Sequence, residues 1–199
     1  MVDCSRERSI MTDAFSLFQR GTSALQEGST TVAIRWLTEA SNSTDTALAS
    51  AAYRNLGIAH RAAGDDAAAV NAFNRAVALN PHDVDALYNR GNAHVALGNH
   101  RVAVESFQLV RELRPCWAQP VNNEGAAWMA MGSADRAEAC FSEAIRLEPS
   151  FAHAWGNLGA ARAALGRHAS PLHTLQHALS LAPNDPNIRI QLGHLLTEL

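Results

Sequence analysis

The 199-residue chain is predicted to be all-α, a solenoid of about five antiparallel helix pairs followed by a single C-terminal helix. Glycine recurs in two registers: Gly21, Gly57, Gly91, Gly125, Gly159 and Gly193, then, seven residues later, Gly28, Gly64, Gly98, Gly132 and Gly166. After a first step of 36 residues every step is 34, and Pro81, Pro115, Pro149 and Pro183 keep the same interval. The composition, 47% hydrophobic and rich in alanine with only 6% aromatics, suits closely packed helices better than β-branched strands.

Residues 1–13 lie outside the repeat and are expected to form a polar N-terminal tail, with Met11 as an alternative start. Aligned on the glycines, the repeats span 14–47, 50–83, 84–117, 118–151 and 152–185, and a terminal helix covers 186–199. Residues 14–199 are thus expected to form one domain. Leu48 and Ala49 are two extra residues, predicted to loosen the first junction. Within a repeat, apolar residues keep helical spacing before the second glycine, as in Ala52, Tyr53, Leu56 and Ala59. They do so again after it, as in Ala69, Val70, Phe73, Ala76 and Val77.

A glycine inside a helix costs roughly 1 kcal/mol against alanine, so Gly57, Gly91, Gly125 and Gly159 predict a close helix–helix contact that compensates. Ala33, Ala69, Ala103 and Ala137 would supply the matching small surface, with Leu37, Phe73, Phe107, Phe141 and Leu175 as the knobs beside it. The second glycine register falls where a left-handed residue ends the first helix. Each proline stops the second helix, because the residue before proline leaves the α region.

These residues resemble the tetratricopeptide repeat family. Its pattern appears as Tyr53, Leu56, Gly57, His60, Ala69, Phe73, Ala76 and Pro81, and the resemblance covers residues 14–199. It implies a right-handed superhelix whose first helices line a concave groove. Two departures stand out. Pro171 replaces the small alanine of the other second helices, so the last of these is expected to start late with proline in its first turn. The terminal helix lacks a partner, which predicts uncovered Leu192, Leu195, Leu196 and Leu199.

The clearest functional signal is a carboxamide two residues before each glycine of the first register: Gln19, Asn55, Asn89, Asn123, Asn157 and Gln191. A carboxamide carries a donor and an acceptor, so one per repeat would match an extended peptide backbone without reading its sequence. Bonding between adjacent first helices is the structural alternative. By family resemblance, asparagines here line the groove and grip peptide. Specificity is expected from flanking positions: Arg54, Ile58, Arg61, Tyr88, Asn92, Asn122, Met129, His153 and His194. The family's lysine- and arginine-built carboxylate clamp has no counterpart, since the matching positions hold residues such as Tyr88, Asn92, His153 and Asn157. An internal, partly apolar segment fits better than an acidic chain terminus.

Other chemistry finds little support. A formal charge of −3 gives no basic face for nucleic acid. Cys4, Cys116 and Cys140 show no CxxC spacing, which argues against a disulfide framework and for a reducing, cytoplasmic setting. No segment reads as a secretory signal or a membrane span. His173 and His177 share a helical face, but HTLQH lacks the acidic residue of HExxH, so no metal site and no cofactor are expected. No nucleophile motif or phosphate loop appears. The chain is therefore expected to be a non-catalytic interaction module that holds an extended peptide segment of a protein partner as adaptor, scaffold or assembly factor. The alternatives are a scaffold that self-associates through its C-terminal helix, or a targeting subunit of a separate enzyme.

Overall fold

The computed structural model describes residues 4–166 and 169–197, among which eleven helices and no strand occur. The helices pack as two compact units, Met1–Asn99 and His100–Leu199, the boundary falling inside the repeat 84–117 rather than at a repeat edge. The first unit holds α1 (Cys4–Gln26), α2 (Thr30–Ala40), α3 (Thr46–Ala62), α4 (Asp66–Leu79) and α5 (Val84–Ala96). In the second are α6 (His100–Leu113), α7 (Ala118–Ala130), α8 (Ala134–Leu147), α9 (Ala152–Ala164), α10 (Ala169–Leu181) and α11 (Pro186–Thr197).

Helix ends follow local chemistry. Gly64 has φ +81°, and its turn is closed by Asp65 N–H donating to His60 O at 2.9 Å and Gly64 N–H donating to Arg61 O at 3.0 Å. Gly28, Gly98, Gly132 and Gly166 share the positive φ. The second helices α4, α6, α8 and α10 end at Leu79, Leu113, Leu147 and Leu181, each two residues before a proline. Asn80 and Glu148, which directly precede prolines, are extended with φ near −140°.

Four of the pairs close on their glycines. A Cβ added to Gly57 would lie 2.5 Å from Phe73 Cε1; at Gly125 it would lie 2.6 Å from Phe141 Cε1. Gly21 meets Leu37 and Gly159 meets Leu175 in the same way. Phe73, Phe141, Leu37 and Leu175 are fully buried beside the small surfaces of Ala69, Ala137 and Ala33, as the spacing predicts. Neighbouring pairs then stack so that first helices touch side by side, α1 with α3 and α3 with α5 in one unit, α7 with α9 and α9 with α11 in the other.

Three expectations change. Residues 4–13 are not a separate tail: α1 is continuous from Cys4, because nothing in CSRERSIMTDAF breaks a helix. Leu48 and Ala49 do not loosen the first junction. They lie in the first turn of α3, 17 residues long against 13 in α5, α7 and α9, where the Asp45 carboxylate accepts Ala47 N–H at 2.9 Å and Leu48 N–H at 3.3 Å. The shorter α2, 11 residues against 14 in α4, absorbs part of the insertion. Leu195 is not uncovered. It is 3% exposed because α11 packs against both α9 and α10, whereas Leu196 stays 55% exposed. Leu199 lies outside the described residues. Pro171 does fall in the first turn of α10, fully buried; residues 167–168, on which a late start depends, are outside the description.

Candidate functional site

In the first unit the predicted wall is formed by α1, α3 and α5. Gln19 is exposed on α1, and Asn55 and Asn89 are half-buried on α3 and α5. Asn55 Nδ2 donates to Thr22 Oγ1 on α1 at 3.2 Å, and the Thr22 hydroxyl in turn donates to Phe18 O at 2.9 Å. With its hydrogen committed, the hydroxyl oxygen must accept, which sets the orientation of the Asn55 amide. Asn89 Nδ2 donates to Asp85 O at 2.8 Å within its own helix. In both residues the side-chain oxygen makes no hydrogen bond among the described residues.

Several flanking positions also make contacts within the scaffold. Arg54 forms a 2.8 Å ion pair with Asp83, whose other oxygen caps α5 by accepting Ala86 N–H at 3.0 Å. Arg54 therefore fastens α3 to the start of α5. Arg61 lies 3.6 Å from Asp66 across the α3–α4 turn, and Ile58 packs on the core formed by Ala69, Val70, Phe73 and Ala93. Tyr88 and Asn92 are half-buried on α5. Replacing Asp83 by alanine removes both the cap and the ion pair, so unfolding stability is expected to fall by about 1–2 kcal/mol in a denaturant titration. An unchanged midpoint would show that the cap contributes nothing.

In the second unit the wall is formed by α7, α9 and α11. Asn157 Nδ2 donates to Asn122 Oδ1 across the two helices at 3.0 Å, and Asn122 Nδ2 lies 3.4 Å from Asn123 Oδ1. Asn122 is buried and joins the two helices. Met129 is half-buried and packs against Ala137, Phe141, Leu158 and Ala161 of the core. His153 Nε2 sits 3.1 Å from Asp185 Oδ2, while Asp185 Oδ1 caps α11 by accepting Asn187 N–H at 2.8 Å and Ile188 N–H at 3.3 Å. His194 is exposed on α11. Gln191 is half-buried, and its Oε1 has no accessible surface and no hydrogen-bond partner.

Two features of this unit escape the repeat pattern. Gly156 is the one glycine outside both registers, and beside it a cleft of about 370 Å³ opens between α9 and α11. Glu124 occupies the position held by Leu56 and Leu158, one residue before the packing glycine, and is 3% exposed. Glu124 Oε1 accepts Gln108 Nε2–H at 2.9 Å and Trp128 Nε1–H at 3.3 Å, and Arg111 lies 3.8 Å from Oε2. Gly156 was visible as a glycine outside both registers, whereas Glu124 did not stand out, because the same position carries Arg20 and Arg90 as well as Leu56 and Leu158.

Nearby Cys140 is buried, and desolvation, reinforced by the Glu124 charge, pushes its thiol up to about 12. Its contribution to stability is full below about pH 9, the unfolded value, and is lost as pH rises toward 12. The denaturant midpoint should therefore fall more steeply between pH 9 and 11 in the parent than in Cys140→Ala, and equal slopes would refute this. Among the described residues no three His, Cys, Asp or Glu side chains gather to hold a metal, and His177 instead meets Trp155 edge-on at 4.4 Å. No described helix is long and apolar enough to cross a membrane.

Stacked helix pairs with amide-bearing first-helix walls define an α-solenoid of the protein-interaction class. A TPR repeat profile matches residues 57–98, and tetratricopeptide repeat profiles match residues 84–115 and 124–186. The chain belongs to the tetratricopeptide repeat family. No curated protein sequence matches it. Among solved structures, MamA (41 to end) from Desulfovibrio magneticus RS-1 is similar with a TM-score of 0.80 and 20% identity, over 87% of this chain and 97% of that one. YrrB, described as a TPR protein with an unusual peptide-binding site, gives 0.80 and 20% over 94% and 93% of the two chains. A tetratricopeptide repeat protein from Parabacteroides merdae gives 0.84 and 16% over 94% and 73%. At such identities the likeness is one of fold.

Proposed function

We propose that the first-helix walls hold an extended segment of a partner protein, the chain acting as an adaptor or scaffold rather than a catalyst. The carrying observation is the orientation of the amides. Asn55, Asn89 and Asn157 each give an N–H to the protein, leaving the side-chain oxygen unbonded among the described residues. These three amides thus offer acceptors suited to the backbone N–H groups of a bound strand, more than the balanced donor–acceptor pair that the sequence suggests. The resemblance in fold to YrrB is consistent with this use of the wall. Gln19, Asn123 and Gln191 continue the register in sequence, with Tyr88, Asn92 and His153 beside it, but Asn123 Oδ1 already accepts from Asn122 Nδ2 and Gln191 Oε1 has no accessible surface.

The same bonds separate binding from stiffening. Asn89 bonds only its own helix, so Asn89→Ala should melt at or above the parent temperature while weakening capture of partner segments about tenfold. Asn157→Ala, which cuts an interhelical bond, should lower stability by about 1 kcal/mol. Affinity purification with peptide identification supplies the partner segments. If Asn89→Ala captures them as well as the parent does, the wall is not the binding surface. Self-association through α11 is a second reading, supported by the exposed Ile190 and Leu196. Light scattering of Leu196→Glu tests it, because a parent that is monomeric at all concentrations excludes it.

A further inference from the structure

A buried carboxylate is unfavourable unless it is fully bonded, and Glu124 is not: Oε2 has no hydrogen bond and Arg111 stands 3.8 Å from it. Its other oxygen holds two side chains of one cavity. Gln108 and Trp128, which donate to Oε1 at 2.9 and 3.3 Å, line a cleft of about 490 Å³ formed by α6, α7 and the start of α8. Arg136 of α8 lies over the Trp128 ring, 4.4 Å from its centroid, and lines the same cleft. None of the lining residues belongs to the amide register or its flanking positions.

The free polar groups of the cleft carry both signs and are exposed. Arg101 and Glu105 are one turn apart on α6, yet neither makes an ion pair or a hydrogen bond among the described residues, and Arg136 has only the Trp128 ring. Gln108 keeps its Oε1 and a second N–H. The Trp128 ring, Val104 and Met131 make the apolar part of the lining. A lone anion would face Glu105, and a lone cation would face two guanidinium groups. An apolar molecule would cover all three charges without pairing any. A zwitterion with an apolar body uses every group: its carboxylate accepts from Arg101 and Arg136, its ammonium donates to Glu105 and Gln108 Oε1, and its body lies on Trp128, Val104 and Met131. An α-amino acid with an apolar side chain carries those three parts on one carbon, and the volume falls within the roughly 300–1,000 Å³ of small-molecule sites.

We infer that this cleft binds a free α-amino acid with an apolar side chain, and that Glu124 is a positioning residue that holds Gln108 and Trp128 for it. The site is separate from the first-helix walls and does not depend on their holding peptide.

Isothermal titration of the full chain with L-valine, L-leucine, L-methionine and L-phenylalanine tests it. At least one should bind saturably at one site. The N-acetyl derivative of the tightest binder lacks the ammonium and its amide derivative lacks the carboxylate, so each should bind about tenfold more weakly or worse. Arg136→Gln should weaken the amino acid by a similar factor, and Glu105→Gln should remove the discrimination against the N-acetyl derivative. Glu124→Leu should lose about tenfold in affinity while circular dichroism shows the helical fold and the denaturant midpoint does not fall, which separates positioning from folding. Glu124→Gln, which keeps an acceptor oxygen for Gln108 and Trp128, should retain more of the affinity. Saturable binding by none of the four amino acids, a derivative that binds as tightly as its parent compound, or unchanged affinity in Arg136→Gln overturns the site. Unchanged affinity in Glu124→Leu overturns the positioning role.

Discussion

Phe73→Ala is expected to destabilise the first unit by about 3–5 kcal/mol, the loss of a fully buried aromatic together with the cavity it leaves. The site has little freedom to collapse. Gly57 brings the α3 backbone onto the ring, and Ala69 and Val70 are already packed around it. The reciprocal change is the sharper test. Gly57→Ala improves helix propensity by roughly 1 kcal/mol. Its new methyl, however, would sit 2.5 Å from Cε1 and 2.7 Å from Cδ1 and Cζ of a ring with no room to move. Overpacking of that kind costs about 1–3 kcal/mol, so the net effect should be a loss of about 1–2 kcal/mol. Gly193→Ala is the control, because a Cβ there meets nothing within 4 Å and propensity alone should raise stability by about 0.5–1 kcal/mol. Thermal or denaturant unfolding of the three variants reads the difference. A stabilised Gly57→Ala would show that the ring gives way and that the glycine register is not required for packing.

Glu124→Leu is expected to stabilise the second unit, by about 1–2 kcal/mol. Glu124 carries a carboxylate into a position held by Leu56 and Leu158 in two other repeats and by Arg20 and Arg90 in two more, and its Oε2 is buried without a hydrogen bond. What holds it is modest: Gln108 and Trp128 donate to one oxygen, and Arg111, itself half exposed, stands 3.8 Å from the other. Gln108 and Arg111 can return to water when the carboxylate is gone, so the substitution strands no buried charge. Glu124→Ala, which removes the charge but leaves a cavity, should fall below Glu124→Leu. A denaturant midpoint for Glu124→Leu lower than that of the parent would mean that the network outweighs its desolvation cost.

The structure redistributes the roles read from the chain. The amide register is where the sequence places it, yet the amides are oriented by neighbours 33 and 35 residues away, Thr22 for Asn55 and Asn122 for Asn157. Arg54 and His153 look like specificity residues in one dimension, but each pairs with an aspartate that caps the next first helix. Both pairs contribute to the scaffold. Met129 and Ile58, read as groove positions, are half-buried and also pack against the core, because helices that meet as closely as Gly125 and Phe141 bring adjacent faces partly inside.

The sequence by itself determined the helices, their ends and their pairing. These depend on backbone terms that act within a few residues: a glycine at positive φ, a proline that bars the preceding residue from the α region, and an apolar spacing that repeats every turn. Only the tertiary structure decided which end of the Asn55, Asn89 and Asn157 amides is available, that Leu195 is core while Leu196 is surface, and that Gln191 and Ile188 of α11 come within 3.2 and 3.3 Å of where a Gly156 Cβ would be. Those outcomes depend on side chains from separate helices meeting at contact distance, and on which polar groups they leave without a partner once water is excluded.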